Sequence, residues 1–314
     1  MFKPLRLIRS GTKIPFAEFR LTAFTFSLLL IMGSILSLFA YGLNFGIDFR
    51  GGILMEVRSE KNVSISEIRT QLEKLKLGEI NIQKFGKDTD ILIRIQRQDG
   101  AEKEQIAAIE LVKTTLGSAV DYRRTEFVGP TVGEELKEAG LLAIGLALLS
   151  ILIYIWMRFE WQFGIGALIA LTHDIITTIG LFAVLNYEFN LATVAAILTI
   201  AGYSINDTVV VYDRVRENLR KYKKLDLLSL FNMSINETLS RTTMTSVTTL
   251  LALFSIFFFG GAVLADFALA MIWGVCIGTY SSIFIAVPLL LYVNLKRGDE
   301  DESGLQAPQD EIPR

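Results

Sequence analysis

The chain has 314 residues, 51% of them hydrophobic, and the apolar residues fall in long uninterrupted runs, which excludes an ordinary soluble globule. A formal net charge of −2, from 31 Lys+Arg against 33 Asp+Glu, supplies no overall basic field for nucleic acid, so the informative charges are those beside the apolar runs. The single cysteine, Cys276, lies inside a run, so no disulfide framework exists, and no Cys and His cluster offers a metal site.

Residues 1–20 carry Lys3, Arg6, Arg9, Lys13 and Arg20 against Glu18 and precede the apolar run Leu21–Tyr41. The run is long for a signal peptide, and Leu38, three residues before a cut after Ala40, breaks the small-x-small pattern, so it reads as a retained first span. Residues 42–138 contain no spanning run and predict a soluble domain. Ile53, Met55 and Val57 alternate as a strand; Ser66 caps a helix with Ile68, Leu72 and Leu75 on one face and Gly78 as its stop. Strands at Ile80–Ile82 and Ile91–Ile95 follow, then a helix through Ile106, Ile109, Val112 and Leu116 to Gly117, and a strand around Val120 and Tyr122. The order β-α-β-β-α-β is ferredoxin-like.

Five further spans are predicted within 139–297, at 139–157, 163–185, 191–212, 242–260 and 267–293. The fold class is thus a polytopic α-helical membrane protein, six spans with one extracytoplasmic ferredoxin-like domain between the first two. Arg158 follows the second span, Arg214, Arg216, Arg220, Lys221, Lys223 and Lys224 the fourth, and Lys296 and Arg297 the sixth; the turns at 186–190 and 260–266 hold no Lys or Arg. Both termini are therefore expected in the cytoplasm and residues 42–138 outside. Trp156 and Trp161 bracket a cytoplasmic turn as interfacial anchors do. Within 213–240, Leu228, Phe231, Ile235 and Leu239 recur at helical spacing and predict an amphipathic helix on the cytoplasmic surface. Residues 298–314, acidic and containing Pro308 and Pro313, predict a disordered cytoplasmic tail.

The run Leu191–Tyr212 is long enough, at ~1.5 Å per residue, to cross a ~30 Å hydrocarbon layer, and it contains Asp207. An acid there costs roughly 2.5–3.5 kcal/mol on insertion scales, which makes it a functional candidate; a packing role, or a place near the interface, is the other reading. Arg241 opens the fifth span, and Arg241, Thr245, Thr248 and Ala252 share a helical face. Either Arg241 pairs with Asp207, or it snorkels to phosphates. A guanidinium moving toward or away from a buried carboxylate switches it between releasing and holding a proton. Ser204, Asn206 and Thr208 are the polar neighbours that such a gate needs for water.

His173 and Asp174 lie near the centre of the third span and admit two readings, an extension of a proton path or a hydrogen-bonded packing device. Adjacent positions diverge by about 100° on a helix and do not line one path, which favours the second. Ala270, Gly274, Gly278, Ser282 and Ala286 recur every four residues and form a close-packing stripe, most safely read as facing another span of the same chain. No GxxxxGK[ST] is present, and Gly202–Asn206 lacks the last glycine of a nucleophile elbow.

The stretch Asn44–Gly52, NFGIDFRGG, resembles the FGxDFxGG signature of the SecD/SecF family, accessory subunits of the bacterial Sec translocase. Gly202–Asn218, GYSINDTVVVYDRVREN, and Leu239–Ser246, LSRTTMTS, resemble that family's fourth and fifth spans, and the resemblance covers roughly residues 20–297. Six spans with one small outer domain fit the SecF members, whereas the SecD members carry a much larger domain. The resemblance implies kinship with the resistance-nodulation-division transporters, a place in the inner membrane with 42–138 periplasmic, and use of the proton motive force to help draw polypeptide outward. It implies SecD, the SecYEG channel and YajC as partners, protons and unfolded polypeptide as cargo, and no cofactor or nucleic acid. By position, Asp207 and Arg241 match the family's proton-pathway pair.

In the outer motif, Phe45, Gly46, Asp48, Phe49, Gly51 and Gly52 stand where the chain leaves the membrane. The three glycines permit tight or positive-φ backbone, which suits either a motion-transmitting joint or a rigid turn. Two other classes remain: an intramembrane aspartyl protease using Asp174 and Asp207, for which Tyr212–Asp213 fits but GxGD is missing, and a passive scaffold.

Overall fold

A computed structural model of the chain describes residues 12–59, 64–84, 89–100, 102–117, 120–293 and 295. The acidic tail at 298–314, residues 1–11 of the basic N-terminal stretch, and Lys296 and Arg297 lie outside them. Six helices among the described residues are long and apolar enough to cross a membrane.

A short 3-10 turn, Phe16–Phe19, leads into α1 (Arg20–Tyr41). Its backbone is held by α8 (Leu227–Phe259): Ala17 N donates to Asn232 Oδ1 at 2.7 Å, and Ile14 N to Asn236 Oδ1 at 3.0 Å. Past α1 come β1 (Asn44–Phe45) and the one-turn helix α2 (Ile47–Arg50), and then the outer domain. This comprises β2 (Gly52–Ser59), α3 (Ile65–Glu73), β3 (Ile80–Lys84), β4 (Asp90–Ile95), α4 (Glu102–Leu116) and β5 (Val120–Val128). The sheet order is β3-β4-β2-β5, antiparallel throughout, which is the expected ferredoxin-like arrangement. Period-2 alternation sends Ile53, Met55, Val57, Ile91, Ile93 and Ile95 to one face, where they are buried with Leu72 and Val112 of the covering helices. Two details differ from expectation. The residue before α3 is Ser64, not Ser66, and Ile106 is exposed because α4 turns Gln105, Ala108, Ile109 and Val112 inward.

The opposite sheet face, with Leu54, Glu56, Arg58, Leu92 and Arg94, looks toward the bundle across a cavity of about 1100 Å3 that also meets Glu188 and Asp266. The bundle is completed by α5 (Pro130–Arg158), α6 (Trp161–Leu185), α7 (Leu191–Lys221), α8 and α9 (Ala262–Ser281); a parallel pairing of β1 with β6 (Glu188–Phe189) lies at its outer end. Helix α9 continues through a π-helical stretch, Ser282–Ala286, just before Pro288. Helix α5 starts at Pro130 rather than at the apolar run from Ala139, because proline suits the first helical position and the polar turns that follow pack beneath α2. At the centre α7 and α9 are the most buried, while α1, α5 and α8 leave broad apolar faces open, as lipid- or partner-facing helices do.

Residues 213–240 do not form a separate surface helix. Helix α7 continues to Lys221 and α8 already begins at Leu227. Phe231, Ile235 and Leu239 are buried among Val215, Leu219 and Ile283, so the apolar face that looked fit for a membrane surface is covered by the chain itself.

The small-residue stripe faces α7 of the same chain. Gly274 admits Ile200, Gly278 lies against Ser204, and Ser282 Oγ is 2.9 Å from Thr208 Oγ1. A Cβ at Gly278 would stand 3.1 Å from Ser204 Cβ. Gly278→Leu should therefore lower stability by about 1–3 kcal/mol, the usual cost of overpacking, as a fall in the thermal unfolding midpoint in detergent; an unchanged midpoint would show that α7 and α9 yield freely there.

Candidate functional site

Asp207 is 3% exposed, on the buried face of α7 with Ser204, Thr208 and Val211. Its Oδ2 has no hydrogen-bond partner. No ion pair within 4 Å joins it to Arg241 among the described residues, although Arg241 acts on it electrostatically from farther away. Arg241, Thr245 and Thr248 are exposed on the outside of α8, contrary to a stripe pressed against Asp207. Their hydroxyls are satisfied locally: Thr245 Oγ1 donates to Thr242 O at 2.9 Å and Thr248 Oγ1 to Met244 O at 2.9 Å. Beyond Ser234 and Thr238, which are buried nearer the start of α8, its inward polar groups are Thr242 and Ser246. Ser246 Oγ meets Thr279 Oγ1 at 2.8 Å, and Thr242 Oγ1, like Asp207 Oδ2, has no partner. Sequence reasoning missed these two, although Leu239, Thr242, Ser246 and Leu253, all buried, mark the inward face.

The expected polar neighbours of Asp207 divide. Thr208 bonds Ser282, Asn206 is exposed, and Ser204 belongs to a different carboxylate. Ser204 Oγ donates to Asp174 Oδ2 at 2.6 Å, Ser281 Oγ to the same atom at 2.7 Å, and His173 Nδ1 lies 2.9 Å from Asp174 Oδ1. Asp174 is fully buried and thereby ties α6, α7 and α9 together, which is the packing-device reading. The neighbouring His173 also turns inward, because α6 is covered by α1 on one side and by α7 and α9 on the other; its Nε2 has no partner. Asp174→Leu should cost about 3 kcal/mol or more, since each buried donor left unsatisfied costs about 1–3 kcal/mol. Thermal unfolding in detergent reads this, and an unchanged midpoint would dissolve the cluster's structural role.

At the outer end, the motif Asn44–Gly52 engages the turn before α7. Gly46 N donates to Phe189 O at 3.0 Å, and Phe45, Phe49, Phe182 and Phe189 form an aromatic cluster with ring centroids 5.9–6.2 Å apart. Asp48 Oδ2 accepts the N–H of Leu191 at 2.9 Å. A carboxylate thus sits on the positive end of the helix that carries Asp207, beside the Asn190 capping box. Gly51 and Gly52 have φ of +70° and +123° and need glycine for that reason. Gly46 does not: its φ is −71°, and it is small because Glu188 occupies the space of a Cβ. Gly133 of α5 lies under the motif, its side-chain position 3.4 Å from Gly51 N.

Arg94 of β4 forms an ion pair with Glu188, a second tie between outer domain and bundle that sequence reasoning did not single out. Burial holds the Glu188 carboxyl above the usual carboxylate range, against the pull of Arg94.

Six helices long and apolar enough to cross a membrane, an outer ferredoxin-like domain clipped to one of them, and a buried carboxylate with an unpartnered oxygen on that same helix define a multi-pass membrane protein. Residues 108–296 match the family described as protein export membrane protein SecD/SecF, C-terminal, and residues 36–63 match the SecD/SecF GG motif. The protein translocase subunit SecF of Rickettsia rickettsii is 46% identical over 93% of this chain and 96% of its own length; that of Rickettsia prowazekii is 44% identical over 93% and 95%. The crystal structure of SecDF, a translocon-associated membrane protein from a Thermus species, is 37% identical with a TM-score of 0.82. This chain is covered to 92% in that match and spans 39% of the SecDF chain. A structure of SecDF in a super-membrane-facing form matches at 35% identity and a TM-score of 0.67, covering 93% of this chain and 40% of the other. The chain belongs to the SecD/SecF family of protein export membrane proteins. It is an accessory subunit of protein translocation rather than an enzyme, which sets aside the protease reading.

Proposed function

We propose that the chain uses the proton motive force to promote late steps of polypeptide export and membrane protein insertion, acting with SecD, the SecYEG channel and YajC in the inner membrane. Asp207 is its proton carrier and Arg241 the counter-charge. The observation that carries this reading is that Asp207 is buried with an unpartnered oxygen on the one helix whose outer end is capped by Asp48. A structural acid in this bundle looks different: Asp174 has all its oxygens engaged.

The exposed stripe of Arg241, Thr245 and Thr248 is the face on which SecD would complete the proton pathway, and the 39% span of the SecDF chain fits a chain that supplies only part of a larger assembly. Both termini are cytoplasmic in this reading and residues 42–138 periplasmic, supported by the Lys and Arg bias of the turns.

Vesicles reconstituted with SecYEG and SecD, with or without this chain, test the proposal. The chain should accelerate export only while a proton gradient is present; equal acceleration after the gradient is collapsed would make it a passive scaffold.

A further inference from the structure

At the end of the bundle away from the outer domain, the last turns of α7 and Arg158 of α5 form an open depression of about 510 Å3 lined by Arg158, Asp213, Arg216, Glu217, Arg220 and Lys221. Its two acids are already engaged. Arg158 Nη2 donates to both oxygens of Asp213, at 2.6 and 2.8 Å, and Arg214 Nη1 donates to Glu217 at 2.6 Å. Arg216, Arg220 and Lys221 form no ion pair within 4 Å among the described residues; Lys221 Nζ lies 5.1 Å from the Tyr222 ring. Three cations within two turns therefore line the depression without a partner at ion-pair distance, Lys221 feeling Glu237 only from farther away.

Like charges at i,i+4, as at Arg216 and Arg220, disfavour one another. The helix dipole offsets cations in the last turn but not Arg216, which stands in the turn before. The depth is distinctive too. Trp156 and Trp161, 74% and 59% exposed, flank Arg158 in the chain, as tryptophans do that anchor at a membrane–water boundary. From Arg216 to Arg220 the helix rises about 6 Å, comparable to the roughly 5–7 Å headgroup layer of one leaflet.

We infer that this depression binds the phosphate headgroup of an anionic phospholipid, with Arg216, Arg220 and Lys221 as its ligands and Asp213 keeping Arg158 partly withdrawn. A basic depression at the ends of two spans, with three cations that have no partner at ion-pair distance, presents the cationic headgroup-level surface that attracts an anionic lipid phosphate.

The test is native mass spectrometry of the full chain in detergent, with phosphatidylglycerol and phosphatidylcholine as probes. Phosphatidylglycerol should be retained in preference. The double variant Arg216→Gln with Arg220→Gln should weaken that retention about 30-fold, each cation near an anionic headgroup contributing about fivefold. Asp213→Asn, which frees Arg158, should strengthen it, a change opposite to any loss from misfolding. Equal retention of the two lipids, or variants that leave retention unchanged, would overturn the inference. So would displacement by soluble glycerol phosphate at the same concentration, which would make the site one for free phosphate, or retention of an acidic peptide in place of lipid.

Discussion

Asp207→Asn should abolish the proton-dependent part of export while leaving the protein folded. The substitution breaks no ion pair, and the Asp207 Oδ2 it replaces has no hydrogen-bond partner to lose. A neutral amide of the same shape also removes the cost of a buried charge, so the thermal midpoint should hold or rise. A proton crossing the membrane gains about 2.3 kcal/mol per 100 mV, so a drive of roughly 150–200 mV supplies about 3.5–4.6 kcal/mol. Reversing a two-state element from 1:99 to 99:1 takes about 5.5 kcal/mol. On the proposed mechanism one proton would bias the outer domain without locking it, so the benefit to export should be graded with the gradient. Arg241→Lys should be partly defective, since an ammonium keeps the charge but sheds its proton more readily when a partner covers it. Slow export through the channel should continue in both variants. A collapse in stability of Asp207→Asn would mark Asp207 as a packing residue.

The second large effect is expected at the outer joint. Asp48→Ala removes the acceptor of the first N–H of α7, a capping loss of about 0.5–2 kcal/mol. Arg94→Gln strands the Glu188 carboxylate, and breaking a buried pair costs about 3–5 kcal/mol; at roughly one-tenth exposure for each partner the lower end applies. Both changes loosen the outer domain from α7 without touching Asp207. The combined variant should keep proton flux near the wild-type rate but lose most of the stimulation of export, while hydrogen exchange rises in residues 186–190. If flux fell in step with export, the joint would belong to the proton pathway itself rather than transmit from it.

Much of this architecture is legible in the residues. Six apolar runs give the spans, and the alternation of Ile53, Met55 and Val57 with the helical spacing of Leu72 and Val112 gives the outer domain. What periodicity cannot supply is the identity of the neighbour. Leu228, Phe231, Ile235 and Leu239 have the same spacing whether their face meets lipid or α7. The threonines of α8 mislead for a related reason: Thr245 and Thr248 satisfy their hydroxyls on their own helix and so face outward at little cost, while Thr242 and Ser246, at similar spacing, turn inward. Asp174 with Ser204 and Ser281, and Arg94 with Glu188, are pairings between distant segments that no local pattern announces. Gly46 looks like its neighbours Gly51 and Gly52, yet only close approach by Glu188 explains it.

Proton flux into sealed vesicles containing SecD and this chain is the most direct test of Asp207 as the proton carrier. The wild-type chain should conduct protons down an imposed gradient, and Asp207→Asn should reduce that flux to the level of vesicles lacking the chain, at unchanged protein content and thermal midpoint. Wild-type flux and export from Asp207→Asn vesicles would contradict the account and make Asp174 the next carboxylate to replace.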